Sequence, residues 1–290
     1  MKTFNKIMIN HAIKIAQEVK ANALLVCIDI TRDITAIAEE IKKPIGVIIV
    51  TREDEELSDD IKKFAKKLDV PNVNLTRVGK IKIAIAKGIV LGFFKRGDKI
   101  VCLSGVPKFG YADSIIVIDV GKEFEILTSD FITDVLENVQ PEVFNAVLNL
   151  ACELAAQGRE YRKVGTIFVL GDVEKVMQLS QQLIINPFLG YSEEQLNILN
   201  PELEETIKEF SAIDGAFIIK ENGVLVTAGR HLNAAPDSRD FPAGLGSRHI
   251  AAAGITNATK AVAIVISESS GNVSVFKNGK LFVTIEKPVE

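Results

Sequence analysis

Cysteine is scarce in this sequence. Cys27, Cys102 and Cys152 lie far apart, none belongs to a Cys-x-x-Cys pair, and each sits in an apolar segment. That pattern argues against a disulfide framework and against a cysteine zinc site, and leaves buried, reduced thiols as the expectation. His11 and His231 have no spacing suited to a zinc pair. No apolar run approaches the roughly 20 residues that span a bilayer. The start, Met1-Lys2-Thr3-Phe4-Asn5-Lys6, leads into mixed sequence with no signal-peptide core. The expectation is a soluble, cytoplasmic protein. Positive charge is not in excess either: the formal net charge of −4 opposes sequence-independent nucleic-acid binding, which needs a positive field. Partners are expected to be small molecules or other protein chains, with no nucleic acid and no membrane. A Gly-x-x-x-x-Gly-Lys-Ser/Thr loop is missing, so a P-loop nucleotide site is not expected. No internal repeat or low-complexity tract interrupts the chain.

What is present is a core-forming chain. Hydrophobic residues make up 47% and charged residues 25% of its 290 residues, enough for about two domains. Up to about Asp130 the pattern alternates between helix and strand. A helix is marked by Ala12, Ile13, Ile15, Ala16 and Val19, and Ala23–Ile28 is a short apolar strand. A helix is predicted over Ile34–Ile41, a strand over Ile45–Val50, a charged helix over Glu56–Leu68 and a strand over Val73–Val78. A helix over Lys80–Phe94 and strands at Lys99–Leu103 and Ser114–Val120 complete the series. Short apolar strands between amphipathic helices predict an open α/β domain: a mostly parallel sheet with helices on both faces. Ligands of such sheets lie beyond the carboxyl ends of the strands, which singles out Thr51 and Ser104.

A long helix is predicted over Asp130–Arg162, broken or restarted at Pro141, and the domain boundary is placed just before it: residues 1–128 and 129–290. A strand at Thr166–Leu170 and a helix over Val173–Leu183 follow, then a turn across Ile185–Tyr191 and a helix at Glu204–Phe210. Asp214-Gly215 leads into an apolar strand that pairs, through Asn222-Gly223, with Val224–Thr227. Strands at Ala261–Ile266, Val273–Phe276 and Leu281–Ile285 end the chain. This half reads as an α/β domain with a mixed central sheet flanked by helices.

Chemistry concentrates between Gly244 and Gly254. Two glycines, Gly244 and Gly246, precede Ser247, Arg248 and His249, and small helix-favouring residues follow. Unpaired backbone N–H groups at a loop-to-helix junction suit an anion. Arg248 adds a fork of donors, and His249 a group able to hold or move a proton near neutral pH. Each residue also has a structural reading. Asp214 can cap a helix or form a turn as readily as bind metal or act as a base; Arg248 can be a surface ion pair, and His249 a core histidine. Ser267 and Glu268 can be plain turn residues.

Their order along the chain carries a resemblance. Asp214-Gly215-Ala216, then Gly246-Ser247-Arg248-His249 before an Ala-rich helix, then Ser267-Glu268 before a glycine turn, closely resemble the diadenylate cyclase domain. Gly158-Arg159-Glu160, Val169-Leu170-Gly171-Asp172, Asn186-Pro187-Phe188 and Gly190-Tyr191 fit the same pattern, and the likeness covers about residues 140–285. Ahead of it, Val78-Gly79-Lys80-Ile81-Lys82 and Gly97–Gly105 resemble the C-terminal α/β domain of pyruvate kinases, and the combination resembles the archaeal type of diadenylate cyclase. Two departures stand out. The family's Arg-His-Arg is Arg248-His249-Ile250 here, and the second acid of its Ser-Glu-Glu turn is Ser269.

The resemblance implies a metal-dependent nucleotidyltransferase that condenses two ATP into cyclic di-AMP and two pyrophosphates, working as a homo-oligomer whose domains face each other in pairs. It implies Asp214, Arg248 and His249 as catalytic groups, and Asp214 and Glu268 as ligands of Mn²⁺ or Mg²⁺. ATP would contact Gly215, Ala216, Leu232, Gly246, Ser247, Arg248, His249, Ser267 and Glu268. The alternative is a non-catalytic adenine-nucleotide sensor or an interaction module. For the leading domain, the acid-rich loop Thr51-Arg52-Glu53-Asp54-Glu55-Glu56 would repel a phosphate, which leaves a scaffolding or assembly role open beside sugar-phosphate regulation.

Overall fold

The computed structural model describes residues 2–28, 37, 41, 44–52, 55–105, 109–121, 138–158, 163–235 and 246–287. The chain divides into two compact units, Met1–Ser129 and Asp130–Glu290. The helix predicted over Ile34–Ile41, the Asp130 end of the long helix, Glu53-Asp54, Arg159-Glu160 and Gly244 lie wholly or largely outside the described residues. No helix among the described residues is long and apolar enough to cross a membrane.

In the first unit, α1 (Lys2–Glu18) leads into β1 (Ala23–Cys27), followed by β2 (Gly46–Arg52), the short α2 (Asp59–Lys62), β3 (Ala65–Val70), α3 (Arg77–Val90), β4 (Lys99–Ser104) and β5 (Ser114–Asp119). The strands form one sheet in the order β3-β2-β1-β4-β5. All neighbours are parallel except β4 and β5, whose short connection leaves no room for a crossover helix and so returns the chain antiparallel.

Two expectations fail here. The charged helix over Glu56–Leu68 is only α2, and residues 65–70 form β3 instead. Leu68 and Val70 are buried while Lys67 and Asp69, on the other face, are only half-buried, the alternation an edge strand permits. The strand is also tied to the helix that follows it: the buried Lys87 ammonium of α3 donates to the Asp69 carboxylate and carbonyl, each at 2.9 Å. Burial works to raise the Asp69 carboxyl, but Lys87 outweighs it and holds the group below its ordinary value. Tertiary pairing thus overrides local helical pattern. The strand expected over Val73–Val78 is likewise displaced, because Thr76 caps α3 by accepting the Gly79 N–H at 2.8 Å.

Ser104 ends β4 and Thr51 is the last residue but one of β2, both buried and without hydrogen-bond partners for their hydroxyls among the described residues. However, the registers Cys27↔Val50 and Val26↔Leu103 put them on opposite faces of the sheet.

The second unit runs α4 (Pro141–Gln157), β6 (Thr166–Leu170), α5 (Val173–Gln178), β7 (Ser180–Gln182), α6 (Pro201–Phe210), β8 (Ala216–Ile219), β9 (Leu225–Leu232), α7 (Ser247–Ala258), β10 (Val262–Ile266), β11 (Val273–Lys277) and β12 (Lys280–Ile285). Pro141 starts its helix at the first turn, where a missing N–H matters least. The helix expected over Val173–Leu183 stops at Gln178. Residues 180–182 instead pair antiparallel with β9, and Arg230 of β9 secures them by donating to the Ser180 hydroxyl at 2.8 Å and the Ser180 carbonyl at 2.6 Å.

The sheet order is β12-β11-β10-β6-β8-β9-β7. Only β6 and β8 are parallel, so the sheet is mixed. Its central strands are buried along their whole length, which requires cover on both faces. On one face Ile167, Val169, Ala216, Ile218, Ala263 and Val265 pack with Ala252, Ala253 and Ile255 of α7. The alternate residues Phe168 and Phe217, 5.0 Å apart at their ring centroids, turn to the other face, and α4 contacts β10 and β11. The small residues of α7 let it lie close to the sheet, which fixes where its first turn points.

Candidate active site

Each side chain of the candidate site is delivered by the end of a well-anchored element. Helix α6 begins where Asn200 accepts the Glu202 N–H and Pro201 occupies the first turn. Near its far end, Lys208 reaches Glu153 of α4 at 3.0 Å and also pairs with Glu204. Burial lowers the Lys208 ammonium, yet these carboxylates outweigh it and hold the group well above its ordinary value. The Ser211 hydroxyl donates to the Lys208 carbonyl at 2.6 Å, and the chain then turns through Asp214 into β8.

Gly215 makes that turn at φ +110°. A side chain there would meet the backbone of Gly229 at 2.6 Å, so β8 and β9 cross at two glycines and only glycine fits. Asp214 is left at the surface, its side chain 83% exposed, with its carboxylate accepting the Gly215 N–H at 3.0 Å.

Helix α7 opens at Gly246, whose extended backbone offers no side-chain cap; the His249 N–H donates to the Gly246 carbonyl at 3.0 Å, which leaves the N–H groups of Ser247 and Arg248 suited to an anion. Arg248 projects between two acids. Its Nη1 donates to Glu268 at 2.9 Å and its Nη2 to Asp214 at 3.5 Å. Glu268 stands in the turn after β10, held by the Ser267 N–H donating to the Asn272 carbonyl at 2.9 Å and the Gly271 N–H to the Ser267 carbonyl at 2.8 Å. His249 is buried, with its ring 5.9 Å from that of Phe276, edge to face. Burial pushes its pKa below the ordinary value, so the imidazole is neutral at physiological pH.

These elements enclose an open cleft of about 850 Å³ lined by Asp214, Gly246, Ser247, Arg248, His249, Ser267 and Glu268. Residues scattered over more than fifty positions of sequence thus share one wall-to-wall site, and Asp214 and His249 face the same space. Gly215, Ala216 and Leu232 are placed differently. Gly215 is pressed against β9, and Ala216 and Leu232 belong to the core beneath α7; none is among the described residues lining the cleft.

The cleft also contains residues that the sequence did not single out, chiefly Lys163, Gly165 and Glu209. A Cβ on Gly165 would lie 2.7 Å from both Arg248 Nη1 and Glu268 Cβ, so this glycine makes the Arg248–Glu268 pair possible. The signal was present: a charged residue and a glycine just before a buried strand, the pattern that marked Asp214-Gly215.

The donor set bears on metal binding. No cluster of three or more His, Cys, Asp or Glu occurs among the described residues, so these residues alone would not enclose a cation. Two exposed carboxylates beside a helix start that lacks a side-chain cap would suit Mg²⁺ or Mn²⁺, which take one or two protein carboxylates and complete their shells with phosphate oxygens and water.

Residues 153–281 match the family model described as "DisA bacterial checkpoint controller nucleotide-binding", and residues 5–128 match that described as "Probable sensor domain DacZ_P". A diadenylate cyclase of Methanocaldococcus jannaschii is 32% identical over 296 residues, covering 95% of this chain and 94% of its own. One from Haloferax volcanii is 34% identical over 207 residues, covering 71% of this chain and 75% of its own. Among solved structures, DacA from Staphylococcus aureus is 25% identical, with a TM-score of 0.32 over 48% of this chain and 84% of that one.

Proposed function

The chain belongs to the diadenylate cyclase family of nucleotidyltransferases, and from that premise we propose that it condenses two ATP molecules into cyclic di-AMP with release of two pyrophosphates. The observation that carries this reading is the meeting of Asp214, Arg248 and Glu268 in one cleft at the start of α7. In each half-reaction a ribose 3′-oxygen bonds to the α-phosphorus of the other nucleotide, the 3′-hydroxyl gives up its proton, and the bond to the β-phosphate oxygen breaks.

The protein's tasks are to hold polyphosphate, to place the attacking oxygen in line and to accept a proton. Ser247 and the first-turn backbone donors of α7 receive phosphate oxygens. Arg248 already bridges two carboxylates, so incoming phosphates compete for its donors and draw the guanidinium toward the charge that develops in the transition state. Asp214, exposed at the rim, accepts the 3′-hydroxyl proton. His249, neutral and buried, donates or accepts a hydrogen bond without adding charge. Asp214 and Glu268 would hold Mg²⁺ or Mn²⁺, which when bound supplies neutralisation of the phosphates. Gly215, Ala216 and Leu232 serve by placing Asp214 and the floor under α7, framing the nucleoside from behind.

One cleft holds one nucleotide, so the second must be presented by another copy. Two such units face each other around a twofold axis, and the enzyme works as a homo-oligomer. The test is product analysis after incubation with ATP and either Mn²⁺ or Mg²⁺. A doubly cyclised dinucleotide with two pyrophosphates per product supports the reading; bound nucleotide without pyrophosphate release sinks it in favour of a sensor. Rate per protomer that stays constant on dilution through dissociation would sink the pairing.

A further inference from the structure

Lys163 lies three residues before β6 and lines the cleft. Its ammonium donates to the Ser269 carbonyl at 3.0 Å, and it pairs with no carboxylate among the described residues. The other side-chain cation of the lining, Arg248, is divided between Glu268 and Asp214, and Ile250, one residue beyond His249 on α7, is apolar. With Glu209, Asp214 and Glu268 also lining the cleft, its acids outnumber its cations before a triphosphate arrives. Hydrogen bonds run from Asp214 to Arg248 to Glu268, and the Ser267–Ser269 turn that carries Glu268 leads on to Lys163. Lys163 therefore stands at the end of the series farthest in contacts from the carboxylate at the rim.

We infer that Lys163 is a substrate-binding residue whose ammonium contacts the phosphates beyond the α-phosphate, the part of the nucleotide that leaves as pyrophosphate. This rests on the proposed use of ATP and names a contact within that site. The bond to the Ser269 carbonyl parks the ammonium in reach of the cleft. The carbonyl is a neutral acceptor for the ammonium, whereas a phosphate oxygen brings a full opposite charge to the same donor and makes the bond an ion pair as well.

The test is binding, separate from turnover. Lys163→Met, Lys163→Arg and the remote exposed control Lys175→Met are titrated with Mg²⁺ and α,β-methylene-ATP, whose altered bridge blocks pyrophosphate loss, and in parallel with AMP. The contact predicts that Lys163→Met raises the Kd for the triphosphate about tenfold and that for AMP less than about twofold. Lys163→Arg and Lys175→Met should stay near the wild-type value. Equal weakening for both nucleotides would mean that Lys163 only props the Ser267–Ser269 turn, and unchanged triphosphate affinity would remove the contact altogether; either overturns the inference. Should Lys163→Met fail to fold, Lys163→Gln keeps a donor for the Ser269 carbonyl without the charge, and the same comparison applies. A wild-type protein that binds the triphosphate but forms no product from ATP would count against the reaction alone. A productive enzyme indifferent to Lys163 would count against this contact alone.

Discussion

Gly254, midway along α7, lies against the carbonyl of Ala234 just past β9: a Cβ added to the glycine would sit 2.0 Å from that oxygen. The helix that carries Arg248 and His249 is therefore seated on main chain, and its depth is set by a missing side chain.

Gly254→Ala should lift α7 from the sheet and disturb the site at its start. Overpacking of this kind costs about 1–3 kcal/mol, a fall of several degrees in the melting temperature of a unit this size, against the small gain alanine brings to a helix. Calorimetry paired with turnover checks it. An unchanged melting temperature with full activity would mean that the helix is not so constrained.

Gly165→Ala should act on chemistry more than on stability. The methyl would displace the part-exposed Arg248 guanidinium, which can swing aside, and would press on Glu268 Cβ, which moves only with the exposed turn that carries it. The expected outcome is a fall in kcat/KM of about tenfold or more with the melting temperature nearly intact. Wild-type kinetics would show that the Arg248–Glu268 geometry is not used.

Asp214→Asn should abolish most turnover while leaving the fold alone. The carboxylate is largely in water and its contact with Arg248 is long, so it adds little to stability. Losing a base or metal ligand lowers rate by about 10²-fold or more. Turnover near wild type would remove Asp214 from the chemistry.

His249 gives the protein an acid-sensitive point. Its folded pKa lies below the ordinary value of 6.5, so the unfolded chain binds its proton more readily. The stability contributed by the neutral imidazole is present above about pH 6.5 and lost as pH falls from there toward the folded pKa. In His249→Gln the drop in melting temperature on the acid side should be smaller than in wild type. Identical slopes would show that His249 does not titrate in the buried state.

Much of this was readable before any coordinates. Composition and the alternation of apolar strands with amphipathic helices led to two α/β sheets, the first mostly parallel and the second mixed. Asn222-Gly223 marked a hairpin, and the motifs around Asp214, Arg248 and Glu268 singled out residues that the fold brings to one cleft. Local pattern misled where a charged stretch was captured by an edge: residues 65–68 read as the end of a helix until β2 offered them a ladder and Lys87 an ion pair for the adjoining Asp69.

By itself the amino-acid order determined which residue types could perform the chemistry, because glycine before an acid-marked strand and a Ser-Arg-His helix start are local properties. Only the tertiary structure decided that Lys163 and Gly165 share their cleft while Ala216 and Leu232 lie beneath it. Distance through space depends on which strands pair and how closely a helix lies on them, and here the strand crossing is governed by the backbone contact of Gly215 with Gly229 and the helix depth by that of Gly254 with Ala234, which no periodicity in the sequence records.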